Sequence, residues 1–385
     1  MPRLVYVTTA PTALRVLCEG QLGFLRDQGY EIIAVSNPDD DLDFVSQRDR
    51  IQVVGIPMQR EIRPGADLVS LFRLWRLMRQ LRPDIVTTAT SKASLLGLLA
   101  ARMAGVPARV YQLWGLRLQT SKGLKRKLLA CAEWLTTACA QRVFSVSHSL
   151  RAAYLEAGFA NGDKVIVLEH GSSNGVDAQR FAPTAAVRES ADRLRAAWHV
   201  PAGAPIIGFV GRFVRDKGIT ELVDAFEKLL SARSDAWLLM VGDYEAGDPV
   251  PDSYVERIAS HPRIIRPGFI RDLAPYYAAM SVLVSPTYRE GFPNVVLEAS
   301  AAGLPVVAFR VTGAVDAVVE GVTGTLVDVR SADSLAEALL KYLNDPDLCR
   351  RHGEAGRERV LRDFRREPIW SAMDSEFRRL LLPKQ

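Results

Sequence analysis

The chain has 385 residues and a net charge of +5, with nearly half its residues hydrophobic and about a quarter charged. That composition excludes a disordered or low-complexity protein, and the length suits two domains of about 150 to 200 residues with a cleft between them. Cys18, Cys131, Cys139 and Cys349 form no Cys-x-x-Cys pair, which argues against a disulfide framework or a structural zinc site.

Met1 to Val7 runs straight into a strand without an apolar leader, and no apolar run has the length of a membrane span, so a cytosolic protein is expected. Short apolar strands then alternate with helix-length segments: Leu4 to Thr9, Glu31 to Ser36, Ile51 to Ile56, Asp84 to Thr88, Ala108 to Leu113, Arg142 to Val146 and Lys164 to Leu168. This is the pattern of a parallel sheet covered by helices. Ligands of such sheets bind at the carboxyl ends of strands, so the following segments carry the interest. Met58 to Pro64 and Thr90 to Ala93 place Arg60, Arg63 and Lys92 either as anion-binding groups or as plain surface charges. Asp39 to Asp43 has a spacing compatible with Mg²⁺, but after Asn37-Pro38 it reads as a solvated turn. His148 and His170 follow strands, with His170 the better functional candidate.

Charge is unevenly spread. Residues 60 to 130 hold 14 Lys or Arg against Glu61, Asp67 and Asp84, a local balance of +11 that leaves about −6 for the rest. Leu71 to Arg79 and Lys122 to Leu129 mix apolar and basic residues and read as helices packed on their own sheet, with a membrane-resting helix as the alternative.

Strand signals stop between Ala178 and Ala204, the expected linker, where Ala186 to His199 has helical spacing. A second alternation follows: Pro205 to Val210, Ala236 to Val241, Arg263 to Arg266, Ser281 to Val284, Pro305 to Phe309 and Thr325 to Val329. Its first strand ends in Gly211-Arg-Phe-Val-Arg-Asp-Lys-Gly218, which puts Arg212 and Lys217 on a strand-to-helix loop able to neutralise a diphosphate. Pro267 to Arg271, with Gly268 and Phe269, is a loop suited to lining a base. Neither a dinucleotide glycine fingerprint nor a Walker motif is present.

The most specific stretch is Glu290-Gly-Phe-Pro-Asn-Val-Val-Leu-Glu298. A helix starting near Pro293 would leave the N–H groups of Asn294, Val295 and Val296 for a phosphate, while Glu290 and Glu298 bracket the ligand and accept bonds from its hydroxyls. A sugar nucleotide fits that set of groups. From Asp347 to Leu382 the pattern is helical with a break at Pro368, and Phe364, Trp370, Met373 and Phe377 form its apolar side.

Gly-Arg-x4-Lys-Gly, then Glu-Gly-Phe-Pro-Asn-x3-Glu-Ala, then Gly303-Leu-Pro-Val-Val, on the second of two such domains, resembles the retaining glycosyltransferases of family 4 with the GT-B fold. The resemblance covers essentially the whole chain. It implies an α/β fold of two Rossmann-like domains with parallel sheets facing a cleft: 1–180 for the acceptor, 200–363 for the nucleotide sugar, and a helix from 364 to 385 crossing back to the first. It also implies that Arg212 and Lys217 hold the donor diphosphate, Glu298 the ribose, and Glu290 with the Gly291, Phe292, Pro293 and Asn294 backbone the transferred sugar; Val295, Gly268 and Phe269 complete the donor side. No metal and no cofactor beyond the nucleotide-sugar substrate, expected to be UDP-linked, is implied.

The resemblance further implies retention of anomeric configuration by a front-face reaction, with Glu290 as nucleophile the alternative. Two stretches depart from the common pattern: Thr8 to Ala13 lacks paired glycines, and Trp114 replaces a frequent histidine. Both resemble bacterial enzymes that extend saccharides on undecaprenyl diphosphate for capsule, O-antigen or exopolysaccharide. On that basis Arg60, Lys92, Trp114, Arg117 and His170 are expected on the acceptor side, the partners are a nucleotide sugar and a lipid-linked saccharide rather than nucleic acid, and the basic first half meets the inner face of the plasma membrane. A sugar-nucleotide epimerase and a non-catalytic sugar-nucleotide sensor are the competing readings.

Overall fold

A strand buried on both faces shows as an unbroken apolar run, because side chains alternate between two covered surfaces. Tyr6 and Leu4 of the first strand enter one core while Val5 and Val7 enter the other. In the computed structural model, which describes residues 1–59, 61, 63–245 and 247–382, this pattern builds two compact units, Met1–Asn174 together with the C-terminal residues from Arg366, and Gly175–Arg365.

The first unit carries β1 (Arg3–Val7), β2 (Glu31–Ser36), β3 (Gln52–Gly55), β4 (Ile85–Ala89), β5 (Ala108–Leu113), β6 (Arg142–Ser145) and β7 (Val165–Val167). They form one parallel sheet in the order β3-β2-β1-β4-β5-β6-β7. Leu14, Leu22, Leu25, Val45, Met373 and Phe377 close one face, the last two from the helix Arg366–Leu381. The helices Pro64–Leu81 and Ser91–Ala104 close the other through Leu74, Met78, Leu96 and Ala101.

Two local expectations change and one is met. Asp39 is the cap of the helix Asp40–Asp49, its carboxylate accepting from the Asp41 and Leu42 N–H groups, so the acidic run starts a helix instead of a solvated turn. The helical spacing read at Ala186 to His199 is met by the helix Ala185–Ala197. The C-terminal break falls between Asp363 and Arg366, upstream of Pro368, which sits in the first turn of the last helix where its missing N–H costs no bond.

The second unit carries β8 (Ile206–Val210), β9 (Trp237–Val241), β10 (Ile264–Gly268), β11 (Val282–Ser285), β12 (Val306–Phe309) and β13 (Gly324–Val327), parallel in the order β10-β9-β8-β11-β12-β13. Strand β10 runs two residues beyond its expected end, through Pro267 and Gly268, with a register shift after Ile265. Phe226, Leu222, Leu229, Met240, Val284 and Leu339 are among its fully buried core.

In this order the chain winds outward from β8 through β9 and β10, then returns to β11 on the other side. The loops after β8 and β11 diverge there, which is the place where open α/β sheets bind ligands. Gly218 fixes how closely those loops pack: its φ is +66°, and a Cβ on it would lie 1.9 Å from the Pro286 carbonyl oxygen. Gly218→Ala should therefore cost about 2 kcal/mol or more, part from the left-handed backbone and part from the clash. Urea denaturation checks this, and an unchanged midpoint would show that the loops can part without cost.

Candidate active site at the switch point of the second sheet

The loop after β8 is anchored from below. Phe213 and Val214 are buried, the Phe213 N–H donates to the Asp243 carbonyl at 2.8 Å, and the Asp216 N–H donates to the Asp248 carboxylate at 2.9 Å. Asp216 then ties this loop to the one after β11. Its carboxylate takes the Arg289 Nε–H at 2.8 Å, and its carbonyl accepts the Tyr288 N–H at 2.9 Å with the Thr287 hydroxyl at 3.0 Å. The result brings together two residues 73 positions apart: the Lys217 ammonium pairs with the Glu290 carboxylate, each side chain about one-fifth exposed.

A third loop supports this pair. Gly313, just past β12, has φ +79°, and a Cβ there would stand 2.4 Å from the Gly291 carbonyl oxygen and 3.0 Å from that of Glu290. The backbone carrying Glu290 thus lies directly against Gly313, and only glycine permits the approach.

The helix Asn294–Ala301 begins after Pro293, which is its cap and not its first residue. The Val296 N–H is taken by the Pro293 carbonyl at 3.0 Å, so the anion site at this helix start is narrower than three open donors. Phe292 turns inward, 5.4 Å ring to ring from Phe364, and serves packing; any contact with a ligand from this stretch falls to the backbone. One turn into the helix, the Glu298 carboxylate accepts the Tyr277 hydroxyl at 2.8 Å. Burial, then the Glu298 charge, raises the Tyr277 pKa well above that of a free phenol, which keeps the hydroxyl a donor at any physiological pH.

Arg212 stands half exposed and pairs with Glu245 at 2.6 Å. Gly268 accepts the Gly242 N–H at 3.0 Å, and beyond it Phe269 is 65% exposed with its N–H on the Asp243 carboxylate at 3.1 Å. Both expected diphosphate-binding cations are therefore engaged by carboxylates. The half-exposed Arg212–Glu245 pair contributes only about 0 to 1 kcal/mol, so a diphosphate, with more charge and more acceptors, can compete for that cation, while the Lys217–Glu290 pair is more enclosed.

The acceptor-side candidates of the first unit are scattered. Arg60 lies outside the described residues. Lys92 is on the first turn of its helix, its ammonium held by Asp67 at 2.7 Å and by the Glu61 carbonyl, and does not stand open in a loop. Arg117 lies exposed in the turn Arg117–Thr120, and His170 is exposed after β7. Trp114 packs on the β1 core, and its Nε1 is buried with no hydrogen-bond partner among the described residues. Where paired glycines were lacking, Thr9 and Thr90 bind each other at 2.8 Å, and the Ala93 N–H reaches the Thr9 hydroxyl at 3.2 Å. Those threonines close the first sheet's own switch point with side-chain bonds.

Residues 15–171 match the description "Glycosyl transferase 4-like domain", and residues 204–345 match "Glycosyl transferases group 1". The chain is 34% identical to the capsular polysaccharide biosynthesis glycosyltransferase CapM of Staphylococcus aureus, over 95% of this chain and 94% of that one. It belongs to this glycosyltransferase family. The UDP-Gal:alpha-D-GlcNAc-diphosphoundecaprenol alpha-1,3-galactosyltransferase of Escherichia coli is 26% identical over 77% of this chain and 76% of its own. Among solved structures, Anabaena HepE in complex with UDP and glucose superposes with a TM-score of 0.83 at 19% identity, covering 98% of this chain and all of that one. The fold of the glycosyltransferase is thus GT-B.

Four parts of its site escaped the sequence reading: the Asp216–Arg289 tie, Gly313, Tyr277 and Glu245. All but Tyr277 left a positional signal, since Asp216, Glu245, Arg289 and Gly313 lie in loops that follow the carboxyl ends of strands. Tyr277 is checked by removal of its hydroxyl. Tyr277→Phe takes a buried donor from a carboxylate and should lower unfolding stability by about 1.5 to 3 kcal/mol, read from urea denaturation; a loss near zero would mean that Glu298 is held by other groups.

Proposed function

We propose that this glycosyltransferase is retaining and metal-independent, and that it moves a hexose or N-acetylhexosamine from a UDP-sugar to a lipid-linked saccharide in bacterial surface polysaccharide assembly. The observation that carries the reading is the pairing of Lys217 with Glu290 at the switch point of the second sheet, braced by the Asp216–Arg289 tie. The capsular polysaccharide biosynthesis role of one relative and the diphosphoundecaprenol-linked sugar named for the other support the choice of acceptor class.

On this reading the donor diphosphate displaces both carboxylates, leaving Arg212 and Lys217 to stabilise the charge that grows on the leaving group as the glycosidic bond opens. Glu298, oriented by Tyr277, accepts the ribose hydroxyls. Glu290, released from Lys217, turns to the transferred sugar with the Gly291 to Asn294 backbone. In the front-face course the departing phosphate oxygen helps take the acceptor proton, so Glu290 orients the sugar without forming a bond to it. The basic first half brings the protein to the inner membrane surface, where the acceptor resides.

UDP-hexoses should raise the melting temperature by mass action, more than GDP- or ADP-sugars do. Lys217→Ala should lower kcat on the order of a hundred- to a thousandfold, the loss typical of one charge-stabilising donor. Glu298→Ala should raise the donor KM roughly ten- to a hundredfold, one charge-assisted hydrogen bond. Near-normal kinetics in both variants would remove the donor-site assignment.

A further inference from the structure

The loop after β9 touches the loops on both sides of it. The Asp243 carboxylate takes the Phe269 N–H from the loop after β10 at 3.1 Å, and the Asp243 carbonyl takes the Phe213 N–H from the loop after β8 at 2.8 Å. The Tyr244 ring stands edge-on to the buried Phe213 ring at 5.1 Å, with the Arg266 guanidinium 5.7 Å from the Tyr244 ring centre. Further along, Asp248 accepts twice from the loop after β8: its carbonyl from the Arg215 N–H at 3.1 Å, and its carboxylate from the Asp216 N–H at 2.9 Å. Val214 and Pro249 pair there as an isolated antiparallel bridge. Glu245 sits between these two anchors, so its backbone stays beside Arg212 even when the side chains part.

The two ion pairs of the site differ in how readily they exchange. The Arg212 side chain is 51% exposed and that of Glu245 33%, against 22% and 20% for Lys217 and Glu290. At 2.6 Å the Arg212–Glu245 contact is a charge-assisted hydrogen bond, yet water competes for both partners and such a pair contributes little net free energy. Among the described residues no second carboxylate is paired with Arg212. The pair therefore opens at low cost, and the tether brings Glu245 back at high effective concentration once a competing anion leaves. That reversibility has a use after transfer. A UDP-sugar carries a diphosphate diester, whereas the UDP left behind ends in a phosphate monoester with one more ionisable oxygen. The same cations thus hold product more tightly than donor, and product release is a common limit on turnover.

We propose that Glu245 is a built-in competitor for Arg212: its carboxylate returns to the guanidinium as UDP loosens, which lowers the affinity of the site for UDP and speeds product release. Glu245 acts through Arg212 and touches neither the sugar nor the nucleotide. This role rests on the donor-site reading and adds to it a residue for the step after transfer.

The test is calorimetric titration of UDP and of uridine into the full-length protein at low and at high NaCl, with the UDP dissociation rate followed by stopped flow. Glu245→Gln keeps the shape and removes the charge. It should bind UDP about two- to fivefold more tightly at low salt, the range of one accessible ion pair, with a smaller gain at high salt. UDP dissociation should slow by a similar factor. Uridine, which has no phosphate, should bind both proteins alike. In an Arg212→Gln background the gain from Glu245→Gln should vanish, a result that a merely structural role for Glu245 would not give. Four results would each overturn the proposal: unchanged or weaker UDP binding by Glu245→Gln, a dissociation rate that does not fall, an equal gain for uridine, or a gain that persists without Arg212. The donor reading itself fails differently, by wild type taking up no UDP, which would remove this role with it.

Discussion

The contact between the loops after β8 and β11 is the constraint on which the site depends. A parallel sheet wound outward from β8 in both directions leaves those two loops adjacent and without a crossing chain. Gly218 lets them meet at backbone distance, and Asp216 with Arg289 fixes their register. Lys217 and Glu290 then face one another as a consequence of topology, with the Gly313 loop pressing on the backbone from the other side. Little of this depends on the ion pair itself.

The first unit uses the same sheet order for a different end. Its switch point is closed by the Thr9–Thr90 hydroxyl pair, and Lys92, expected on the acceptor side, is paired internally with Asp67. What distinguishes this unit is its charge, a balance of +11 over residues 60 to 130.

Strands were legible in the sequence because burial on both faces leaves continuous apolar runs that turn residues interrupt, so ends such as Glu31–Ser36 and Ala108–Leu113 coincide with the structure. The Arg212, Lys217, Glu290 and Glu298 positions were legible because each falls at a strand's carboxyl end or in the helix that follows. Direction and pairing were not. The sequence gives Phe292 a ligand role through its backbone alone and does not show that its ring is buried against Phe364. The Val296 N–H reads as an open donor, yet Pro293 bends back to take it. Tyr277 sits in the short helix Ala274–Ala279 with no local sign that its hydroxyl reaches a glutamate 21 positions on. Such contacts are set by tertiary approach, which spacing along the chain does not encode.

A crystal structure of the protein with a UDP-hexose shows whether the second sheet's switch point holds the donor diphosphate. Diphosphate oxygens are expected within hydrogen-bond distance of Lys217 Nζ and the Arg212 guanidinium, with the Glu298 carboxylate on the ribose and Glu290 parted from Lys217. A nucleotide bound elsewhere, with the Lys217–Glu290 and Arg212–Glu245 pairs intact, would contradict it.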